Sequence, residues 1–186
     1  MKRIITALVA AIMTLALTIS AGAYLVEPQI NRQIAAHYVA EAARSVGYAE
    51  NSAIIQMAQA DWWAAQSEID ASLDLLTRVV YFEAGDNRLS DRQQQLVAAV
   101  ACNRVADSRF PSTLKGVIYQ TKPTIQYSCA SSLYSVSIAA IPARCYENAR
   151  LAAYGQVDCP DSVVWQAGFP QGRGLYCKIG NTWFCW

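Results

Sequence analysis

Residues 75–85 read LLTRVVYFEAG, and the reading of this stretch decides the fold. Leu76, Val79, Val80 and Glu83 recur at i, i+3, i+4 and i+7, the spacing of one helix face, so the one carboxylate of the run falls on an apolar stripe. Gly85 follows as a left-handed stop and sets Glu83 in the last turn, at the negative end of the helix dipole. Partial desolvation and that dipole both disfavour the anion. A carboxylic acid that keeps its proton near neutrality is what a general acid for glycoside cleavage needs. The competing reading of the same pattern is a buried structural Glu paired with an arginine such as Arg104.

Upstream of this helix, residues 28–72 are rich in Ala, Gln and Glu, with Gly47 the only break. Ile30, Ile34, Ala35 and Tyr38 give one short stripe. Ile54, Ile55, Ala58, Trp62, Ala65 and Ile69 give a second at helical spacing. Two helices, or one broken near Gly47, are expected to form a helical stalk over 27–72. His37, the only histidine, lies here and reads as a surface or packing residue. The pair Trp62-Trp63 reads as one Trp docking on the domain, with an interfacial or sugar-stacking platform as the alternative. Further upstream, Lys2 and Arg3 precede an uncharged run from Ile4 to Val26, with Ala21-Gly22-Ala23 as a small-residue cleavage site. Residues 1–26 are expected to be a signal peptide or a membrane anchor, which puts the remainder outside the cytoplasm, secreted or tethered to the membrane.

Downstream, Ser90 and Gln93 form a capping box that opens a helix to about Val105, with Leu96, Val97 and Val100 inward. Phe110-Pro111-Ser112 is expected to cap a short helix through Tyr119. Residues 120–140 show no period and read as a long loop or short strands. Pro142 opens a helix closed by Gly155. Residues 163–165, Leu175 to Ile179 and Thr182 to Trp186 read as strands, the last two as a hairpin. The expected class is α+β, with several helices and a short antiparallel sheet over residues 73–186.

A formal charge of +1 with 16% charged residues gives no basic footprint for nucleic acid. The six cysteines, Cys102, Cys129, Cys145, Cys159, Cys177 and Cys185, are even in number and lack a CxxC pair, so disulfides are expected rather than zinc. For Cys177 and Cys185 the hairpin register decides: a two-residue turn at Gly180-Asn181 sets Cys177 opposite Phe184, and a three-residue loop sets it opposite Cys185. Residues 72–186 contain no histidine. That removes Ser-His-Asp and Cys-His schemes and argues against a zinc amidase. GFPQGRG reads as an ordinary loop, since no helix follows it. Asp86 is read as a turn or cap residue. No metal or other cofactor is implied.

The run LTRVVYFEAG, then LVAAVACNRVADSRFPSTLKGVIYQ, then YSC, and finally VVWQAGFPQGRGLYCKIGNTWFCW, together resemble the SleB/CwlJ cell wall hydrolase family, the spore cortex-lytic enzyme type. The likeness spans roughly residues 73–186 in family order. It implies a lysozyme- or transglycosylase-like fold that acts on peptidoglycan glycan strands, spore cortex among them in sporulation and germination, with Glu83 of the EA motif as the catalytic acid. The loop between the EA and NRV motifs is slightly longer than the family pattern. Thr182 also stands where relatives often carry His, and the stalk replaces the peptidoglycan-binding module of some members.

One carboxylate suffices for the implied chemistry. Glu83 protonates the glycosidic oxygen and then accepts the proton of the attacking group. A C6 hydroxyl as attacker gives lytic transglycosylase chemistry, and water gives a muramidase. Tyr81, Tyr127, Trp165 and Gln166 are the candidates for lining the glycan groove, with aromatic faces for sugar rings and an amide for N-acetyl groups. The rival readings are a non-catalytic peptidoglycan-binding envelope protein and an N-acetylmuramoyl-L-alanine amidase-type hydrolase.

Overall fold

The structure, a computed structural model, describes residues 25–85 and 88–186. The expected signal or anchor therefore lies, but for its last two residues, outside the described part, as does Asp86. Among the described residues no helix is long and apolar enough to cross a membrane.

The chain divides into two compact units, with the change at residues 71 and 72. In the first, α1 (Glu27–Ser45) begins with Pro28 in its first turn and ends before Gly47. It lies beside the first part of α2 (Ala53–Ala84). The contact layer is small: Ala36, Ala40 and Ala58 are buried, with Val39 and Trp62 packed on them. Arg32 donates to Asp61 at 2.7 Å and to Glu68 at 2.8 Å across the pair. Trp62 packs on the alanine layer within this unit rather than on the domain, while Trp63 is exposed, and His37 is exposed as a surface residue.

The second unit is built around α3 (Asp91–Ala106), which contacts α4 (Leu114–Ile118), α5 (Ala143–Ala153) and β1 (Trp165–Ala167). Its buried run from Leu96 to Cys102 leaves little of the helix to solvent, as expected of an element at the centre of a domain. Ser90 caps it by accepting from the Gln93 amide at 3.2 Å. The reciprocal half of the expected capping box is absent, because the Gln93 side chain donates instead to Thr182 Oγ1 at 2.9 Å. Thr113, not Ser112, caps α4 by accepting from the Gly116 amide. Residues 120–127 are loop, as expected, while the rest of the stretch forms neither loop nor strands but two 3-10 segments, Ser128–Ser135 and Ile138–Ala140.

A three-stranded antiparallel sheet closes the unit, in the order β1-β3-β2 with β2 (Leu175–Ile179) and β3 (Thr182–Cys185) as the hairpin. Ile179 faces Thr182 across the two-residue turn, so Cys177 pairs with Phe184 and Leu175, past a bulge, with Cys185. That register overturns the disulfide expectation for this pair. All six cysteines are free thiols, with Cys102, Cys145 and Cys185 buried. Burial, followed by the neighbouring Cys159, pushes the Cys102 thiol up to about 12, as for a small apolar core residue. The result is a mostly helical α+β domain with a small sheet.

Candidate active site

The stripe that opened the sequence is real. Leu76, Val79 and Val80 are fully buried, each worth roughly 1.5–3 kcal/mol relative to exposure. Glu83 leaves the stripe: it is exposed rather than half buried, in the last turn before α2 ends at Ala84. Gly85 is not left-handed, contrary to the expected stop. Glycine is needed there for another reason, since a Cβ would sit 2.2 Å from the Tyr81 carbonyl oxygen.

The helix end is fixed from below. Gln94, wholly buried on α3, donates to the Ala84 carbonyl at 2.9 Å and so satisfies one of the acceptors that a helix C-terminus leaves open. The Gln94 oxygen accepts from Asn148 on α5 at 2.9 Å, and Asn148 also donates to Asp91 at 3.0 Å. Arg144 adds an ion pair to Asp91 at 2.8 Å. Three helices thus share one polar chain beneath Glu83.

Across from Glu83 lies the first 3-10 turn. The Cys129 thiol stands beside the Glu83 carboxylate, and burial followed by that carboxylate pushes the thiol up to about 12. The turn is clamped by buried Arg78 of α2, which donates to the carbonyls of Leu133 at 3.0 Å and Val136 at 2.6 Å. Arg78 also pairs with Asp74 and lies 4.5 Å from the centre of the Tyr134 ring.

A cavity of about 440 Å³ opens nearby in the same unit, with Arg104, Thr124, Gln126, Trp165, Gln166 and Gly172 in its lining. Arg104 is 1% exposed. Its Nε donates to the Val164 carbonyl at 2.8 Å, and its guanidinium lies over the rings of Tyr127 at 5.1 Å and Phe110 at 5.5 Å. It forms no ion pair with Glu83 or any other carboxylate among the described residues, so the structural Glu–Arg pairing weighed above is absent. Gly172 is left-handed, and a Cβ there would meet the Trp165 ring at 2.6 Å, so the indole packs closely against the loop backbone.

The structure therefore separates the predicted site residues. Trp165 and Gln166 are half buried and line the cavity. Tyr127 is 1% exposed and offers no free face to a sugar, which corrects its expected place in the groove lining. Burial pushes its phenol up to about 12, with Arg104 opposing and Glu83 reinforcing the rise. Tyr81 is half buried, its ring edge-on to Phe82 at 5.3 Å. Glu83 is not in the cavity lining. Its electrostatic neighbours include Tyr127, just before the turn that follows the cavity loop, and Cys129 on that turn. Sequence reasoning missed Gln94 and Asn148 as supports of the helix end. The available signal was a glutamine three residues before Val97 on an apolar helix face.

Residues 90–166 match the sequence model of the family described as Cell Wall Hydrolase. The fold is similar to the crystal structure of the catalytic domain of the Bacillus cereus SleB protein, at 22% identity and a TM-score of 0.50, covering 61% of this chain and 88% of that one. Over this region the chain is similar to the Cell Wall Hydrolase family, and its fold to that of the SleB catalytic domain. No curated protein matches the chain at a significant level. The family match starts at the Ser90 cap and ends at Gln166. It contains the Gln94–Asn148 support and the whole cavity lining but Gln171 and Gly172; Glu83 lies seven residues before it.

Proposed function

We propose that the SleB/CwlJ-like domain cleaves the glycan strands of peptidoglycan outside the cytoplasm, with Glu83 as the general acid and then the base. The observation that carries this reading is an exposed carboxylate on a helix end whose last carbonyl is held by buried Gln94. Rigid support of this kind is what proton transfer to a glycosidic oxygen demands, because small displacements of the acid cost large factors in rate. Trp165 and Gln166 supply a stacking face and an amide for an N-acetylated sugar in the cavity. Attack by the C6 hydroxyl of the cleaved sugar gives transglycosylase chemistry with no second carboxylate.

The test is mass spectrometry of soluble products from purified sacculi. Anhydro-muramyl ends identify a lytic transglycosylase, and reducing muramic acid ends a muramidase. Glu83→Gln keeps the shape and removes the proton, and product release is expected to fall by at least about a hundredfold. Undiminished release by Glu83→Gln would falsify the assignment of the acid. Binding to sacculi with no product from wild type would favour a non-catalytic wall-binding protein, a reading that the absence of Glu83 from the cavity lining supports. Free stem peptides would identify an amidase.

A further inference from the structure

Arg104 is a buried cation with no counter-charge among the described residues. Removing a guanidinium from water is costly unless an anion and a full set of acceptors replace the solvent. Here the guanidinium lies over two aromatic rings, Nε is satisfied by the Val164 carbonyl, and Nη1 has no hydrogen-bond partner among the described residues. The other buried arginine of the domain shows the contrast: Arg78 is paired with Asp74 and bonded to two carbonyls. Arg104 differs in being part of a cavity lining. A second buried atom without a partner belongs to the same lining, the Gln166 side-chain oxygen. One unpartnered donor that carries positive charge and one unpartnered amide acceptor thus border a space large enough for a sugar ring with its substituents. A planar guanidinium flanked by rings, with a terminal nitrogen left without a partner, is the form that receives a carboxylate.

We propose that this cavity is a carboxylate subsite, in which Arg104 receives an acid group carried by the glycan strand while Gln166 accepts from an adjacent N–H. The inference rests on the glycan-cleaving reading and deepens it: the preferred substrate is an acidic strand rather than a neutral one. The carboxylate has two sources in a wall polymer. One is the lactyl group of muramic acid freed of its stem peptide, and the other is a carboxylate of the stem peptide itself.

The experiment compares three preparations of solubilised glycan strands: intact, stripped of stem peptides, and stripped with the lactyl carboxylates converted to methylamides. Binding is measured by calorimetry with Glu83→Gln, which cannot consume the strands, and cleavage is measured with wild type. Neutralised strands are expected to bind about tenfold more weakly than their charged counterparts, the factor that one charge-assisted hydrogen bond supplies. Arg104→Gln is expected to erase that difference. Stripped strands binding at least as well as intact ones assign the lactyl group, and the reverse order assigns the stem peptide. Equal binding of all three preparations overturns the subsite, and this arm needs no variant, so misfolding of Arg104→Gln cannot shelter the idea. A preference for charged strands that survives in folded Arg104→Gln overturns it as well. Failure of wild type to cleave any strand overturns the glycan-cleaving reading instead. The subsite then stands or falls on the binding arms alone.

Discussion

Gln94 reaches the Ala84 carbonyl with one end of its amide and Asn148 with the other, and no solvent touches either bond. Gln94→Leu keeps most of the volume and leaves a buried carbonyl and a buried amide without their partner, a loss of roughly 2–4 kcal/mol. The melting temperature is expected to fall by about 5–10 °C for a chain of this length. Wall cleavage, assayed well below the melt, should fall too, because the helix end that holds Glu83 loses its support. A Gln94→Leu protein that melts within a degree of wild type contradicts that role. Asp91, at the start of α3, allows a check by pH. Its bonds from Asn148 and then Arg144 hold its carboxyl below the ordinary value of 3.8. A carboxyl lowered by folding stabilises the fold above its unfolded value, and that contribution is lost as pH falls through the folded value. Urea midpoints of wild type and Asp91→Asn should therefore differ at pH 7 and converge below about pH 3.8.

At the scale of elements, the end of α2 and the cap of α3 set the geometry. A methyl at position 85 would lie 2.2 Å from the Tyr81 oxygen, closer than any real contact, so the last turn must move. Gly85→Ala is expected to cost roughly 1–3 kcal/mol and to reduce cleavage by at least about tenfold, since a shift near 1 Å at a catalytic group carries a penalty of that order or more. Circular dichroism with a product assay checks both. Helix and strand signals were legible because they are local: the Leu76–Val79–Val80 stripe and the Ser90 cap each declare themselves within a few residues, whereas the hairpin register at Gly180-Asn181 stayed open between two loop lengths. The reach of Arg78 to residues 133 and 136, and of Arg104 to residue 164, was not, because those contacts join segments 55 to 60 apart in sequence. The same limit explains the cysteines. An even count suggests bridges, while burial of single thiols depends on where distant segments meet. The position of Glu83 was readable from its motif, but its exposure was not, since helix periodicity cannot tell where the covering layer ends.

For the whole molecule, a formal charge of +1 leaves little long-range attraction to an anionic wall. Binding to sacculi should therefore change by less than about threefold between 50 and 300 mM salt, because the cation invoked at the cavity is buried and weakly screened. A steep salt dependence measured by co-sedimentation would point to exposed basic residues instead. The Arg78 clamp has a further consequence. The helix that presents the acid also grips, little more than a turn earlier, the wall that stands opposite it. Acid and wall are thus riveted to a common beam, and neither can drift from the other while that beam is intact. Loss of lytic activity on heating should then trace the same curve as loss of tertiary structure, with no cooler phase in which the protein is folded but inert.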